Sequence, residues 1–242
     1  MDYYDYNNRN ASNQISASYT TETSRKFMLR VYNWMAIGLA LTGFMAYLFA
    51  FTPETRNIIL QYPSVLWIAI ILQFVVVIAM SAAVNKISAA TATIGFVIYS
   101  MLTGVTLSVI FFVFRIDTIA SAFFVSAGMF AALSVFGYAT KRNLSGVGTF
   151  MMMGLFGLII ASVVNIFVAS TVLYAMINYV GVLVFAGLTA YDTQKIKEMS
   201  YQVEGDSEAA KKSAIFGSLA LYLDFINLFL FLLRIFGGSS RD

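Results

Sequence analysis

An all-α integral membrane protein, a bundle of seven transmembrane helices with the seventh at its centre, is the fold class this sequence predicts. Two observations lead there. Apolar residues make up 60% of the 242-residue chain and charged residues only 11%, against about a quarter in soluble domains. The charges also lie almost wholly between long apolar runs, and the exceptions are two acids in or against the last two runs, Asp192 and Asp224. A carboxylate in hydrocarbon costs on the order of 2.5 kcal/mol or more at a helix centre, so each is a site candidate.

Residues 1–26 are rich in Tyr, Asn, Ser and Thr and contain no apolar block. They are expected to form a disordered polar tail without the apolar centre of a secretory signal, leaving the first span as the insertion signal. The transmembrane domain is expected over 27–236, with a short tail at 237–242. Within it, runs free of Lys, Arg, Asp and Glu fall at 31–53, 57–85, 87–114, 118–140 and 143–191, followed by 213–233 with Asp224 inside it. A span needs roughly 20 residues, so four runs are single helices. The 49-residue run 143–191 would reach about 70 Å as one helix, more than twice the hydrocarbon thickness. It must fold back, and the small hydroxylated stretch Ala169-Ser-Thr171 is the expected reversal.

With the amino terminus inside, eleven basic residues fall on the inner side (Arg9, Arg25, Lys26, Arg30, Lys86, Lys141, Arg142, Lys195, Lys197, Lys211 and Lys212) and four on the outer (Arg56, Arg115, Arg234 and Arg241). The positive-inside rule then puts the amino terminus in the cytoplasm and the carboxyl terminus outside, unless the seventh segment enters only partway. The compartment expected is the inner (plasma) membrane, and the first partner is the lipid bilayer. With no Cys there is no disulfide framework, and with no His any titration near neutrality falls to carboxyl groups. The net charge of +3 is too scattered to suggest nucleic acid.

The seventh helix is expected to start just after Lys212, which sets Asp224 about 18 Å along it. No helix breaker follows Asp192 until Gly205, so the sixth helix is expected to continue to about Ser200, with Lys195 and Lys197 snorkelling. The acids then share one depth. The stripe through Asp224 carries Gly217, Ala220, Asn227 and Leu228, and that through Asp192 carries Gly181, Phe185, Leu188 and Thr189. These faces suit the bundle interior, and the opposite faces suit lipid. Two carboxylates facing each other in a low dielectric cannot both ionise cheaply, so the pair is expected to share one proton and titrate as a unit. Fully ionised, it is a hard-oxygen site for a divalent cation such as calcium, with Asp192 and Asp224 as metal ligands. Protons and calcium would compete for it.

The stretches Gly187-Leu-Thr-Ala-Tyr-Asp-Thr-Gln-Lys-Ile-Lys197, Ala220-Leu-Tyr-Leu-Asp-Phe-Ile-Asn-Leu-Phe229 and Ile98-Tyr-Ser-Met-Leu-Thr-Gly-Val-Thr-Leu-Ser108 resemble, in order, motifs of the sixth, seventh and third helices of the Bax inhibitor-1 family, in its bacterial branch. The resemblance runs from about residue 25 to the end. It implies a pH-sensitive calcium leak channel, linked to stress and cell-death protection, in which a di-aspartyl sensor joins helices 6 and 7. By position those acids are Asp192 and Asp224. Some members add a basic group on helix 2; here that span has no Arg, and Lys86 at its end is the nearest basic residue. Tyr99, Thr103, Tyr191 and Asn227 are further candidates beside the latch or a path. No cofactor is implied beyond calcium as the transported or regulatory ion, and no catalysis.

Two alternatives stand beside this. One is a membrane interaction protein that regulates a membrane-bound protease or other partner through its polar tail and the 193–212 loop. The other is an intramembrane aspartyl protease, since Tyr191-Asp192 matches half of that motif pair. The other half fails, because Leu221-Tyr-Leu-Asp224 stands where a Gly-x-Gly-Asp element is needed. For Asp192 the plainer reading is a helix-end residue paired with Lys195 three residues on. For Asp224 it is a buried acid that serves packing.

Overall fold

In the computed structural model the backbone is described for residues 3–203 and 205–238, and side chains within it from Glu22 onward. Nine helices make up the described residues: α1 (Tyr3–Phe51), α2 (Pro53–Gln61), α3 (Ser64–Ala82), α4 (Ala89–Leu107), α5 (Ile110–Val113), α6 (Ile116–Ala139), α7 (Ser145–Val168), α8 (Thr171–Ser200) and α9 (Glu208–Gly238). Seven stretches are long and apolar enough to cross a membrane, namely Glu22–Phe51 of α1, α3, Ala89–Val113, α6, α7, α8 and α9.

Each boundary has a local cause. Pro53 opens α2, where its missing N–H costs nothing. The Ser88 hydroxyl caps α4 by accepting from the Thr91 amide. The long run reverses where its small polar residues predicted. Ala169 takes a left-handed backbone, φ 50°, the Ser170 amide donates to Asn165 Oδ1 at 3.0 Å, and the Ser170 hydroxyl caps α8 through the Leu173 amide. A side-chain carbonyl and a hydroxyl thus satisfy groups the helix ends leave open.

Two boundaries differ from expectation. The polar segment expected to be a disordered tail continues α1 on its amino-terminal side from Tyr3, and no Gly or Pro occurs before Gly38 to end the helix. Also, α9 starts at Glu208 rather than after Lys212, since the acid suits a first turn. The expected tail at 237–242 lies outside the described residues from 239 on.

Among the membrane-crossing helices α9 is the most deeply buried and α7 and α3 the least, and α9 packs on α1, α4, α6 and α8. The lipid-suited face expected on it is missing: among the described residues α9 exposes no large apolar side chain, whereas α8 exposes Val172, Tyr179 and Leu183. Small residues bring the backbones together. A Cβ on Gly137 of α6 would lie 2.2 Å from the Ala190 carbonyl oxygen of α8, a contact between main chains that no rotamer change relieves.

The connection between α8 and α9 is pinned. Arg30 of α1 and Lys211 (3.3 Å) both pair with the Asp206 carboxylate. Glu208 Oε1 accepts from the Ala89 amide at 2.6 Å, and Lys212 Nζ donates to the Ile87 carbonyl at 3.3 Å. The Ser200 hydroxyl donates to that of Ser24 at 2.6 Å.

Two outcomes are expected from this packing. Gly137→Ala should lower the thermal midpoint in detergent by the equivalent of about 1–3 kcal/mol, as overpacking does; an unchanged midpoint would refute the close contact. The hydrogen bond from Arg30, with that from Lys211, holds the Asp206 carboxyl below its ordinary value. A depressed value means that the clamp is fully present above the ordinary aspartate range, about 3.9, and is lost as pH falls below it. Amide-exchange protection over 205–212 should therefore be level from pH 8 to 5 and fall below about pH 4. Asp206→Asn should show the low protection throughout.

Candidate functional site

The two acids meet because α8 and α9 are long, antiparallel and in a fixed register. Gly217 lies under Ile196 on one side of the pair, and Phe185 stacks on Phe231, centroids 5.8 Å apart, on the other. Between these contacts Asp192 and Asp224 come opposite each other, with their carboxyl groups in hydrogen-bonding reach. The expected extension of the sixth helix to Ser200 is what brings Asp192 inward. It lies eight residues, about 12 Å, before the helix end.

Their surroundings are unequal. Asp224 is 4% exposed, and its Oδ2 has no N–H or O–H donor among the described residues. Asp192 is half-buried and feels the Lys195 ammonium, which also lies over the Tyr191 ring, 5.8 Å from its centroid. A carboxylate only accepts, so two carboxyl groups hydrogen-bond only when one carries a proton. The missing donor of Asp224 is thus supplied if the pair shares one.

Of the predicted stripes, Gly181, Phe185, Leu188 and Thr189 of α8 and Gly217, Asp224 and Leu228 of α9 are buried, while Ala220 and Asn227 of α9 are half-buried. The other candidates sit elsewhere. Asn227 donates to the Leu223 carbonyl of its own helix at 2.8 Å. Lys86 is exposed on the α3–α4 turn, and the cation that Asp192 feels is Lys195. Tyr191 is packed on Gly148 of α7. Tyr99 and Thr103 belong to a second polar group. The Tyr99 ring meets that of Tyr222 edge-on at 6.0 Å, and the Thr103 hydroxyl bonds the Tyr99 carbonyl at 2.9 Å and Gln73 Oε1 at 3.4 Å. The Tyr222 hydroxyl in turn meets Thr42 Oγ1 at 2.7 Å.

Sequence reasoning missed Gln194. Its Oε1 accepts from the Leu144 amide at 2.8 Å and its Nε2 donates to the Arg142 carbonyl at 2.9 Å, so the residue two beyond Asp192 ties α8 to the α6–α7 turn. It sits in the polar run Asp192-Thr-Gln-Lys195, where nothing in the sequence sets this amide apart from its neighbours. The adjacent Thr193 hydroxyl donates to Ser134 of α6 at 3.3 Å. No cluster of three or more His, Cys, Asp or Glu occurs among the described residues. A hard cation at the pair would need hydroxyls, carbonyls or water to complete the six to eight oxygens calcium takes.

Comparison with known proteins places the chain in a family. A sequence model of the family described as "Inhibitor of apoptosis-promoting Bax1" matches residues 24–241. The chain is 49% identical over 213 residues to the Escherichia coli inner membrane protein YbhL, covering 88% of this chain and 91% of that one. It is 44% identical to an uncharacterized protein of Borreliella burgdorferi (90% and 94% covered) and 43% identical to one of Deinococcus radiodurans (92% and 94%).

Gln194→Ala should leave a buried amide and a carbonyl of the 142–144 turn without partners. The expected loss of stability is about 1–3 kcal/mol, read as a lower unfolding midpoint with the helical content unchanged. A midpoint equal to wild type would show that the tie carries nothing.

Proposed function

The chain belongs to the Bax inhibitor-1 family, and from that premise we propose that it is a pH-sensitive calcium leak channel, gated by the Asp192/Asp224 pair and serving stress or cell-death protection. The supporting observation is the pair itself: a 4%-exposed carboxyl whose Oδ2 lacks a donor, facing a second carboxyl on the neighbouring antiparallel helix. With one proton between them, the carboxyls tether α8 to α9. With none, two like charges in a low dielectric repel each other and draw in water or a cation. The same oxygens suit a hard divalent cation, so protons and calcium compete for them. Lys195, one turn on, sits where it steadies the Asp192 charge. No bond is made or broken in this cycle, and the protein acts without catalysis.

We place it in an inner membrane, since its Escherichia coli relative is named an inner membrane protein. The amino terminus is cytoplasmic by the distribution of basic residues. At 31 residues, α9 reaches about 46 Å and is long enough to cross.

The test is calcium flux into liposomes holding the purified protein, from about pH 5 to 8. Wild type should show flux that varies with pH, and Asp192→Asn/Asp224→Asn should make it insensitive to pH. Flux no greater than that of empty liposomes, or pH-dependent flux unchanged by Asp224→Asn, would sink the proposal.

A further inference from the structure

Helices α1 and α6 do not close against each other. The neighbours of α1 are α2, α4, α8 and α9, and those of α6 are α5, α8 and α9. Between α1 and α6 two clefts open, one in each half of the bundle. The first, of 590 Å³, runs between Met28 and Tyr32 of α1 and Phe130, Ser134 and Tyr138 of α6. The second, of 280 Å³, runs between Leu39 and Ala46 of α1 and Ile116 and Phe124 of α6.

The first cleft has the dimensions and chemistry of a lipid site. From Arg25 to Tyr32 is seven residues, about 10 Å of helix, and from Phe130 to Ala139 is nine, about 13 Å; both approximate one leaflet of a 30 Å hydrocarbon core. Its volume lies in the range of ligand pockets, about 300–1,000 Å³. Its walls are apolar, and Tyr138 stands near its wet end, where amphipathic rings collect.

Charge separates the two clefts. Arg25 lines the first at its rim, is exposed, and has no carboxylate partner among the described ion pairs, whereas its neighbour Lys26 is paired with Glu22 at 2.7 Å. Beside the second cleft, Arg115 is already held through two nitrogens by Asp117. Of the two clefts, only the first therefore joins an acyl-sized trough to a guanidinium outside the described ion pairs, a group that matches phosphate geometry.

We propose that the cleft between Arg25 and Phe130 holds an anionic phospholipid, its acyl chain between α1 and α6 and its phosphate on Arg25. The lipid would complete the seam that the helices leave open. One wall residue, Ser134, accepts from Thr193, the neighbour of Asp192, so the seat adjoins the candidate gate. The inference rests on the bundle alone and stands or falls apart from calcium conduction.

Native mass spectrometry of the detergent-purified protein, given equal amounts of phosphatidylglycerol and phosphatidylcholine with the same chains, tests it. Wild type should retain phosphatidylglycerol in excess. Arg25→Ala should lower that preference about fivefold, the worth of one basic residue at an anionic surface. Ala131→Trp, which fills the exposed trough, should lower retention of both lipids. Lys26→Ala should change nothing. Equal retention of the two lipids by wild type, wild-type binding by both Arg25→Ala and Ala131→Trp, or an equal loss in Lys26→Ala would overturn the site.

Discussion

A carboxyl group in hydrocarbon must find a hydrogen-bond partner or lose its charge, and here one buried acid faces another. Asp224 sits inside the helix that exposes no large apolar side chain among the described residues, and no N–H or O–H reaches its Oδ2. Asp192 is brought to it by a helix that runs on for eight residues beyond, through two lysines, to Ser200. Much of the surrounding packing makes that meeting possible. Gly217 admits Ile196, Gly187 admits Met151, and Gly148 admits the Tyr191 ring. Small residues are how helices approach where no hydrophobic driving force separates protein from lipid tails.

The polar interior falls into two groups joined by α9. Asp224 turns toward α8, while Tyr222, two residues earlier and so on nearly the opposite side, turns toward α1 and α4, where Thr42, Ser100 and the Phe96 and Tyr99 rings receive it. One helix therefore carries an acid to one neighbour and a phenol to two others. Movement of α9 against α8 would be felt at the α1–α4 contact through Tyr222. The clamp of Arg30, Lys211 and Asp206, with Glu208 on the Ala89 amide, restrains the other end of the same helix. A gate at the pair would work between these two restraints.

The reading of the chain from its residues reached far because a bilayer leaves few solutions. With no water to satisfy backbone groups, each long apolar run must be helix, and a 49-residue run must reverse. Ala169 and Ser170 do reverse it, with Asn165 supplying the acceptor. The absence of a breaker between Asp192 and Gly205 was enough to extend the sixth span. The same rule applied to residues 1–26, which hold no Gly or Pro, and composition drew attention away from it; the helix there starts at Tyr3.

What the sequence by itself determined is the class, the seven spans, the reversal, the inward stripes and the identity of the two acids, because each follows from cost per residue in hydrocarbon or from helical period. What only the tertiary structure decided is which of the other polar residues join them. Lys86 and Asn227 had the right chemistry but lie on a turn and on a local carbonyl, while Lys195 stands close enough for Asp192 to feel its charge and Gln194 ties the same turn of helix to the 142–144 segment. The gap between α1 and α6 was equally invisible. Helical period tells which face of a helix turns inward, but which helices touch is set by the three-dimensional fit of all seven, and that fit has no signature in any one of them.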